Sequence, residues 1–312
     1  MGIYEPGIYQ VGYTQVPKTT RLAGLNRQET AIEVAKAAYP AGADTVILAR
    51  DDDFPDALTS APLAYKEHAP ILLTNSQSLS PKVLAEINRL EPRKVILLGS
   101  TAAISDQVQN QLISLGYSVN RIWGANRYAT AAAIAKELGT FGKAIVVNGD
   151  NFPDALVIAS PAAQNGEPIL LTAASALASE TDRVLRQLSV AETLVIGAEV
   201  RVSDSVLEQL PGHRRIAGPN RYMTAAYVLS EYPPYGQGVY MATGEDFPDA
   251  LSGGLLAAIQ GTNVVLVPPD GLPLALLDVV RSWQGMMVIA LGGPNVVPER
   301  DLHALQKLLR KN

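Results

Sequence analysis

Three arginines and three aspartates recur at nearly constant spacing, and they are the residues best placed to do chemistry. Arg27, Arg127 and Arg221 each sit in Gly-x-Asn-Arg-x-x-Thr-Ala, beginning at Gly24, Gly124 and Gly218. Asp56, Asp154 and Asp249 each sit in Phe-Pro-Asp-Ala-Leu, beginning at Phe54, Phe152 and Phe247. The motif arginine precedes the phenylalanine by 27, 25 and 26 residues, and successive arginines lie 100 and 94 residues apart. Arginine keeps its charge and offers five donors in a rigid fork, so it answers a carboxylate or an anionic ligand. At a helix start its charge is not favoured by the helix dipole, which strengthens that expectation. Two readings stand side by side. The arginines brace their own unit's Phe-Pro-Asp block, or they contact a bound anion. Each aspartate, one residue after a proline, reads either as a first-turn acid satisfying free helix N–H groups or as a ligand contact.

Catalytic templates find no match. His68, His213 and His303 fall at non-equivalent places in the repeats. There is no nucleophile elbow, phosphate-binding Walker loop or dinucleotide-binding glycine pattern. A glycosidase needs a carboxylate pair, whereas each repeat supplies one aspartate at the equivalent position. The run Asp51-Asp52-Asp53 lacks the spacing of a calcium loop and is not matched by Gly149-Asp150-Asn151 or Gly244-Glu245-Asp246. No cofactor is expected. Without a cysteine, thiolate catalysis and Cys-ligated zinc are excluded. Sites built from Arg, Asn, Thr and Asp three times over suit holding a partner more than transforming it.

These residues need elements to carry them. Asn26, Asn126 and Asn220 stand where a helix N-cap belongs. Apolar runs at Thr45–Ala49, Pro70–Thr74 and Val95–Gly99 read as buried strands, with helices expected from near Asp56, over Ser80–Leu90 and over Ser105–Leu115. The second repeat gives strands at 144–147, 168–172 and 193–196, and the third at 238–242, 264–267 and 287–291. Continuous apolar strands alternating with helices imply a parallel sheet covered on both faces. The 312 residues, 47% hydrophobic and 18% charged, therefore divide into a lead-in over 1–20 and three α/β units over 21–120, 121–214 and 215–312. No flexible linker separates them. Equivalent head-to-tail contacts can then close a ring, giving an intramolecular pseudo-threefold trimer. The last helix, 302–309, is not followed by a strand like Ser118–Ile122, and the lead-in before Arg21 is expected to fill that place.

The net charge of −5 provides no global basic field for nucleic acid. No apolar run is long enough to span a membrane. Residues 1–20 lack the basic start and apolar core of a signal peptide.

Taken together, the motifs resemble the cell wall binding repeat 2 family of Gram-positive surface proteins. The resemblance covers residues 21 to about 312. It rests on the two repeated blocks, on Pro70-Ile71-Leu72-Leu73 and Pro168-Ile169-Leu170-Leu171, and on the glycine after each third strand (Gly99, Gly197, Gly292). The third unit departs with Asn263-Val264-Val265-Leu266, and the first with Gln28 in place of tyrosine and Asp51 in place of glycine. The resemblance implies a Rossmann-like, Toprim-like fold and non-catalytic anchoring at the extracellular surface, alone or beside a fused or separate effector domain. The implied partner is an anionic, teichoic-acid-like wall glycopolymer. Candidate ligand residues are Asn26, Asn126, Asn220, Arg27, Arg127, Arg221, Asp56, Asp154 and Asp249, with Arg21, Arg121 and Arg215 at the unit starts. The alternative is the targeting region of a peptidoglycan hydrolase or other carbohydrate-active enzyme.

Overall fold

The computed structural model describes residues 20–310, apart from Phe54, Phe141 and Gln284. The expected lead-in therefore lies outside the described residues except for Thr20. The described part opens with the short strand β1 (Arg21–Leu22). It continues through α1 (Arg27–Ala38), β2 (Thr45–Arg50), α2 (Ala61–Lys66), β3 (Ile71–Thr74), α3 (Pro81–Leu90), β4 (Lys94–Leu98), α4 (Asp106–Ser114) and β5 (Ser118–Ile122). The same order recurs in α5 (Arg127–Leu138), β6 (Lys143–Asn148), α6 (Pro153–Asn165), β7 (Ile169–Thr172), α7 (Ser179–Gln187), β8 (Glu192–Ile196), α8 (Asp204–Leu207) and β9 (His213–Ile216). It recurs again in α9 (Arg221–Glu231), β10 (Gly238–Thr243), α10 (Pro248–Ile259), β11 (Val264–Val267), α11 (Leu274–Val280), β12 (Met287–Leu291) and α12 (Glu299–Leu309).

Three four-stranded parallel sheets result, ordered β3-β2-β4-β5, β7-β6-β8-β9 and β11-β10-β12-β1. The first strand of each unit lies between the second and third, so the order reverses at the loop that follows it. In open α/β sheets ligands bind outside the carboxyl ends of the strands at such a reversal. The third sheet takes its fourth strand from the other end of the chain. Arg21 and Leu22 pair with Ala290 and Leu291, and the amide of Ala290 donates to the carbonyl of Thr20 at 2.8 Å. The ring is thus sewn shut at the place expected for it, by the first residues of the first repeat.

The repeats also pack head to tail. The first helix of each unit lies on the central helix of the unit before it: α5 on α2, α9 on α6, and α1 on α10. The three central helices meet one another, and their side chains join one apolar core that spans all units. There Ser160 Oγ donates to the carbonyl of Gly254 at 2.9 Å. Each sheet's second face carries its own smaller cluster. The Ile-Leu-Leu triplets are fully buried strand core, 71–73 and 169–171 being at most 2% exposed.

One element differs from expectation. In units two and three the helix starts at the proline of Phe-Pro-Asp, but in unit one residues 55–59 form turns and α2 begins only at Ala61. Pro62 alone does not explain this, because α6 carries Pro161, one place further along its repeat, inside the helix. The local difference is Ser60, whose hydroxyl and amide both bond the carbonyl of Ala57, at 2.7 and 3.0 Å. Such a side-chain bond competes with the helical ladder.

Candidate functional site

The asparagines cap their helices. The side chains of Asn26, Asn126 and Asn220 accept from the amides of Glu29, Ala129 and Met223 at 3.0, 2.9 and 2.9 Å. Such a cap contributes about 1 kcal/mol. The next residue in each motif is thereby fixed in the first turn with its side chain facing the loop after the unit's first strand.

That residue is the arginine, and it does not pair with the aspartate of its own unit as the first reading had it. Nη1 of Arg27, Arg127 and Arg221 donates to the main-chain carbonyls of Asp51 (2.6 Å), Gly149 (2.6 Å) and Gly244. The guanidinium plane then turns to the neighbouring unit. Arg221 lies 5.8 Å over the ring of Phe152, and Arg27 lies 5.8 Å over that of Phe247. Each stack joins one unit to the one before it, a contact of about 0.5–1 kcal/mol at a partly exposed site. With side chains 38%, 33% and 29% exposed, the three arginines keep one edge in solvent at the seams.

The aspartates also act across the seams. Asp56 is hydrogen-bonded to Thr130 and Asp249 to Thr30, in each case the motif threonine of the following unit. That threonine simultaneously accepts from the motif glycine amide: Gly24 to Thr30 at 3.1 Å, Gly124 to Thr130 at 3.1 Å and Gly218 to Thr224 at 2.9 Å. Burial pushes the Asp154 and Asp249 carboxyls up to about 6, against the opposing pull of Arg201 and Arg221 on the former, and of Thr30 and Arg27 on the latter. Burial pushes Asp56 up as well. Asp154 and Asp249 do stand in the first turns of α6 and α10, but Asp56 precedes α2.

The glycine after each third strand exists to leave room for these carboxylates. Gly197 has φ +118°, and a Cβ there would come within 2.6 Å of Asp154 Oδ2; Gly99 and Gly292 face Asp56 and Asp249 in the same way. The loops holding these glycines are pinned from below. Arg21 donates to the carbonyls of Gly292 and Val297 and pairs with Glu299 at 2.7 Å. Arg121 donates to Gly99 and Ser100. Arg215 donates to Gly197 and Val202 and pairs with Asp204 at 3.0 Å. With donors so engaged, these unit-start arginines position the loop rather than present a charge.

The structure therefore brings all twelve candidate residues to the carboxyl ends of the sheets, at the three seams, but divides them. The exposed asparagines cap, the aspartates and unit-start arginines lock, and among the charged candidates the motif arginines keep the widest solvent edge. No cluster of metal-ligating side chains occurs among the described residues, and no helix there is long and apolar enough to cross a membrane.

Three stretches of the chain, 21–109, 121–207 and 215–301, match the model of cell wall binding domain 2, CWB2. The chain belongs to the CWB2 family. Two solved structures resemble it closely: Cwp6 from Clostridium difficile, with TM-score 0.88, 26% identity and 94% of this chain covered, and Cwp8 from the same organism, with 0.81, 30% and 92%. Those alignments take in 48% and 51% of the two proteins. Among curated relatives, the N-acetylmuramoyl-L-alanine amidase LytC of Bacillus subtilis is 36% identical over 92% of this chain, and an amidase enhancer of the same organism is 36% identical over 88%. The chain spans 58% and 38% of their lengths. The three CWB2 units thus form a cell-wall-binding module, associated with the wall or surface.

Sequence reasoning missed two features of the site. One is the direction of the aspartate contacts, for which the sequence held no signal. The other is Arg201, a guanidinium present in one repeat only.

Proposed function

We propose that the module, with units at 21–120, 121–214 and 215–312, anchors its bearer by gripping an anionic secondary wall polymer in the seams between units. The observation that carries this reading is the motif arginine: in every unit it is fixed by a carbonyl of its own loop and left partly open to solvent at a unit junction. A fixed guanidinium with a wet edge recognises phosphate or carboxylate. Asn26, Asn126 and Asn220 would set its orientation, and the aspartates and unit-start arginines would hold the seam in shape. Three weak sites along a repeating polymer gain by avidity without any site being tight. Net charge does not oppose this, because binding depends on the potential at the seam.

The similarity to an amidase and to an amidase enhancer favours a role as the targeting region of a wall hydrolase, and the two roles are compatible. In both, the module contributes binding and no bond cleavage. Incubation of the purified chain with isolated Gram-positive walls tests both the binding and the absence of cleavage. The proposal expects the chain to sediment with the walls while the supernatant gains no soluble sugar or peptide. Release of wall fragments would contradict the non-catalytic part, and protein left in the supernatant would contradict the binding part.

A further inference from the structure

The three seams differ in charge. Where the third unit meets the first, Arg27 lies 3.2 Å from Asp246, and its loop brings Asp51, Asp52 and Asp53. Where the first meets the second, Arg127 lies 3.6 Å from Asp150, and Arg50 is held by Asp52 at 2.7 Å and Asp53 at 3.8 Å. Where the second meets the third, another cation enters. Arg201 stands four residues beyond Gly197, where the other units have Ala103 and Val296.

The position of Arg201 is fixed by its backbone. Its amide donates to Ala198 at 2.7 Å, and its carbonyl accepts from Asn148 Nδ2 at 2.8 Å, at the end of β6. A Cβ built on Gly197 would lie 2.6 Å from Asp154 Oδ2 and 3.3 Å from Arg201 Cβ, so this side chain starts beside the buried carboxylate. Arg221 approaches the same seam from the opposite unit, over Phe152. Its nearest acid, Glu245 at 3.8 Å, is already bonded by the Tyr222 hydroxyl. Arg201 is exposed, and no carboxylate among the described residues comes within ion-pairing distance of it. Two arginines from different units therefore act on one carboxylate that is 92% buried, and the closest ion pair of either among the described residues is 3.8 Å, against 3.2 Å for Arg27 and 3.6 Å for Arg127 at the other seams. The exposed Glu199 of the same loop forms no hydrogen bond or ion pair with either arginine.

We propose that the seam between the second and third units is the principal seat for the anionic group of the wall polymer, with Arg201 and Arg221 gripping a phosphodiester from two sides. This rests on the wall-binding reading above and adds the location and chemistry of the main site. Arginine suits the role because its planar fork can present two donors to two phosphate oxygens. Because the two arginines belong to different units, ligand binding and seam closure reinforce one another.

The test uses the full chain and synthetic poly(glycerol phosphate), followed by titration calorimetry at low salt, with dextran as the neutral control. Arg201→Ala is expected to weaken binding about tenfold, Arg201→Glu to weaken it further, and Arg201→Lys to retain most of it. Arg93→Ala, an exposed arginine at the amino ends of the strands paired with Asp44, serves as a charge control and is expected to bind like the parent. Arg201 makes no side-chain hydrogen bond among the described residues, so Arg201→Lys is expected to melt like the parent. Arg201→Ala and Arg201→Glu, which remove a cation that opposes the burial shift of Asp154, are expected to melt slightly lower and to stay folded at the temperature of the titration. The proposal is overturned if Arg201→Ala and Arg201→Glu bind as the parent does, or if the parent ignores poly(glycerol phosphate). If the parent still sediments with whole walls in either case, wall binding survives and only this assignment falls.

Discussion

Stability should rise, not fall, as the solution is made mildly acidic. Asp154 and Asp249 have carboxyl pKa values raised by burial from 3.8 to about 6. Between those values the folded chain binds protons that the unfolded chain has released, so folding is favoured as pH falls from about 6 to about 4 and is penalised as pH rises through 6. A shift of this size corresponds to about 3 kcal/mol for each group at neutral pH. At about 2.1 cal/mol/K per residue of unfolding entropy, that is about 4–5 °C in melting temperature per aspartate for a chain of this length. Acids shifted the other way, Glu29, Asp52 and Glu180, lose their contribution only below their ordinary values of 3.8–4.5, outside this window. Asp154→Asn with Asp249→Asn removes both titrations while keeping an acceptor for Thr30. Calorimetric melts from pH 7.5 to 5 should therefore show the parent gaining several degrees on acidification. The double variant should be more stable than the parent at pH 7.5 and flatter across the range, the remaining slope coming from Asp56 and Glu167, which burial also pushes up. A parent that loses stability steadily over this interval, with the double variant running parallel to it, would refute the reasoning.

Other outcomes follow from the same contacts. Gly197→Ala forces a Cβ within 2.6 Å of Asp154 Oδ2 at φ +118°. It should cost about 2–4 kcal/mol in denaturant unfolding, and a loss below 0.5 kcal/mol would mean that the loop is soft. Thr30→Val keeps the shape but removes the acceptor of the Gly24 amide and the partner of Asp249. A loss of about 1–3 kcal/mol is expected, relieved when Asp249 is also replaced by Leu in a double-mutant cycle. Deletion through Leu22 strips β1 from β12 and leaves the amides of Ala290 and Gly292 without their acceptors. It should lower the melting temperature and promote self-association through the bared edge, visible in light scattering.

The triplication was legible because it is written in residue identity, and the strands because buried parallel strands are continuous apolar runs such as Val46–Ala49. The closing of the ring was legible in part: the fourth strand of the third sheet was expected from the residues before Arg21, whereas Arg21 and Leu22 of the first unit supply it. The partners of the polar residues were not legible. Asp56 has Arg27 of its own unit at one sequence distance and Thr130 of the next at another, and periodicity cannot choose between an internal brace and a lock on the neighbour. The head-to-tail packing of α5 on α2 makes that choice. Likewise, repeat-based reading weights residues found three times, so it passes over Arg201, whose interest is that its counterparts are Ala103 and Val296. The early start expected for the helix near Asp56 failed for a local reason, the Ser60 bonds to Ala57.

The claim that matters most is that the seams hold an anionic wall polymer. Sedimentation of the purified chain with Gram-positive walls, before and after chemical removal of their phosphodiester-linked polymers, tests it most directly. The account predicts strong pelleting with intact walls and little with stripped ones. Equal pelleting with both would place the binding on peptidoglycan or another component and contradict it.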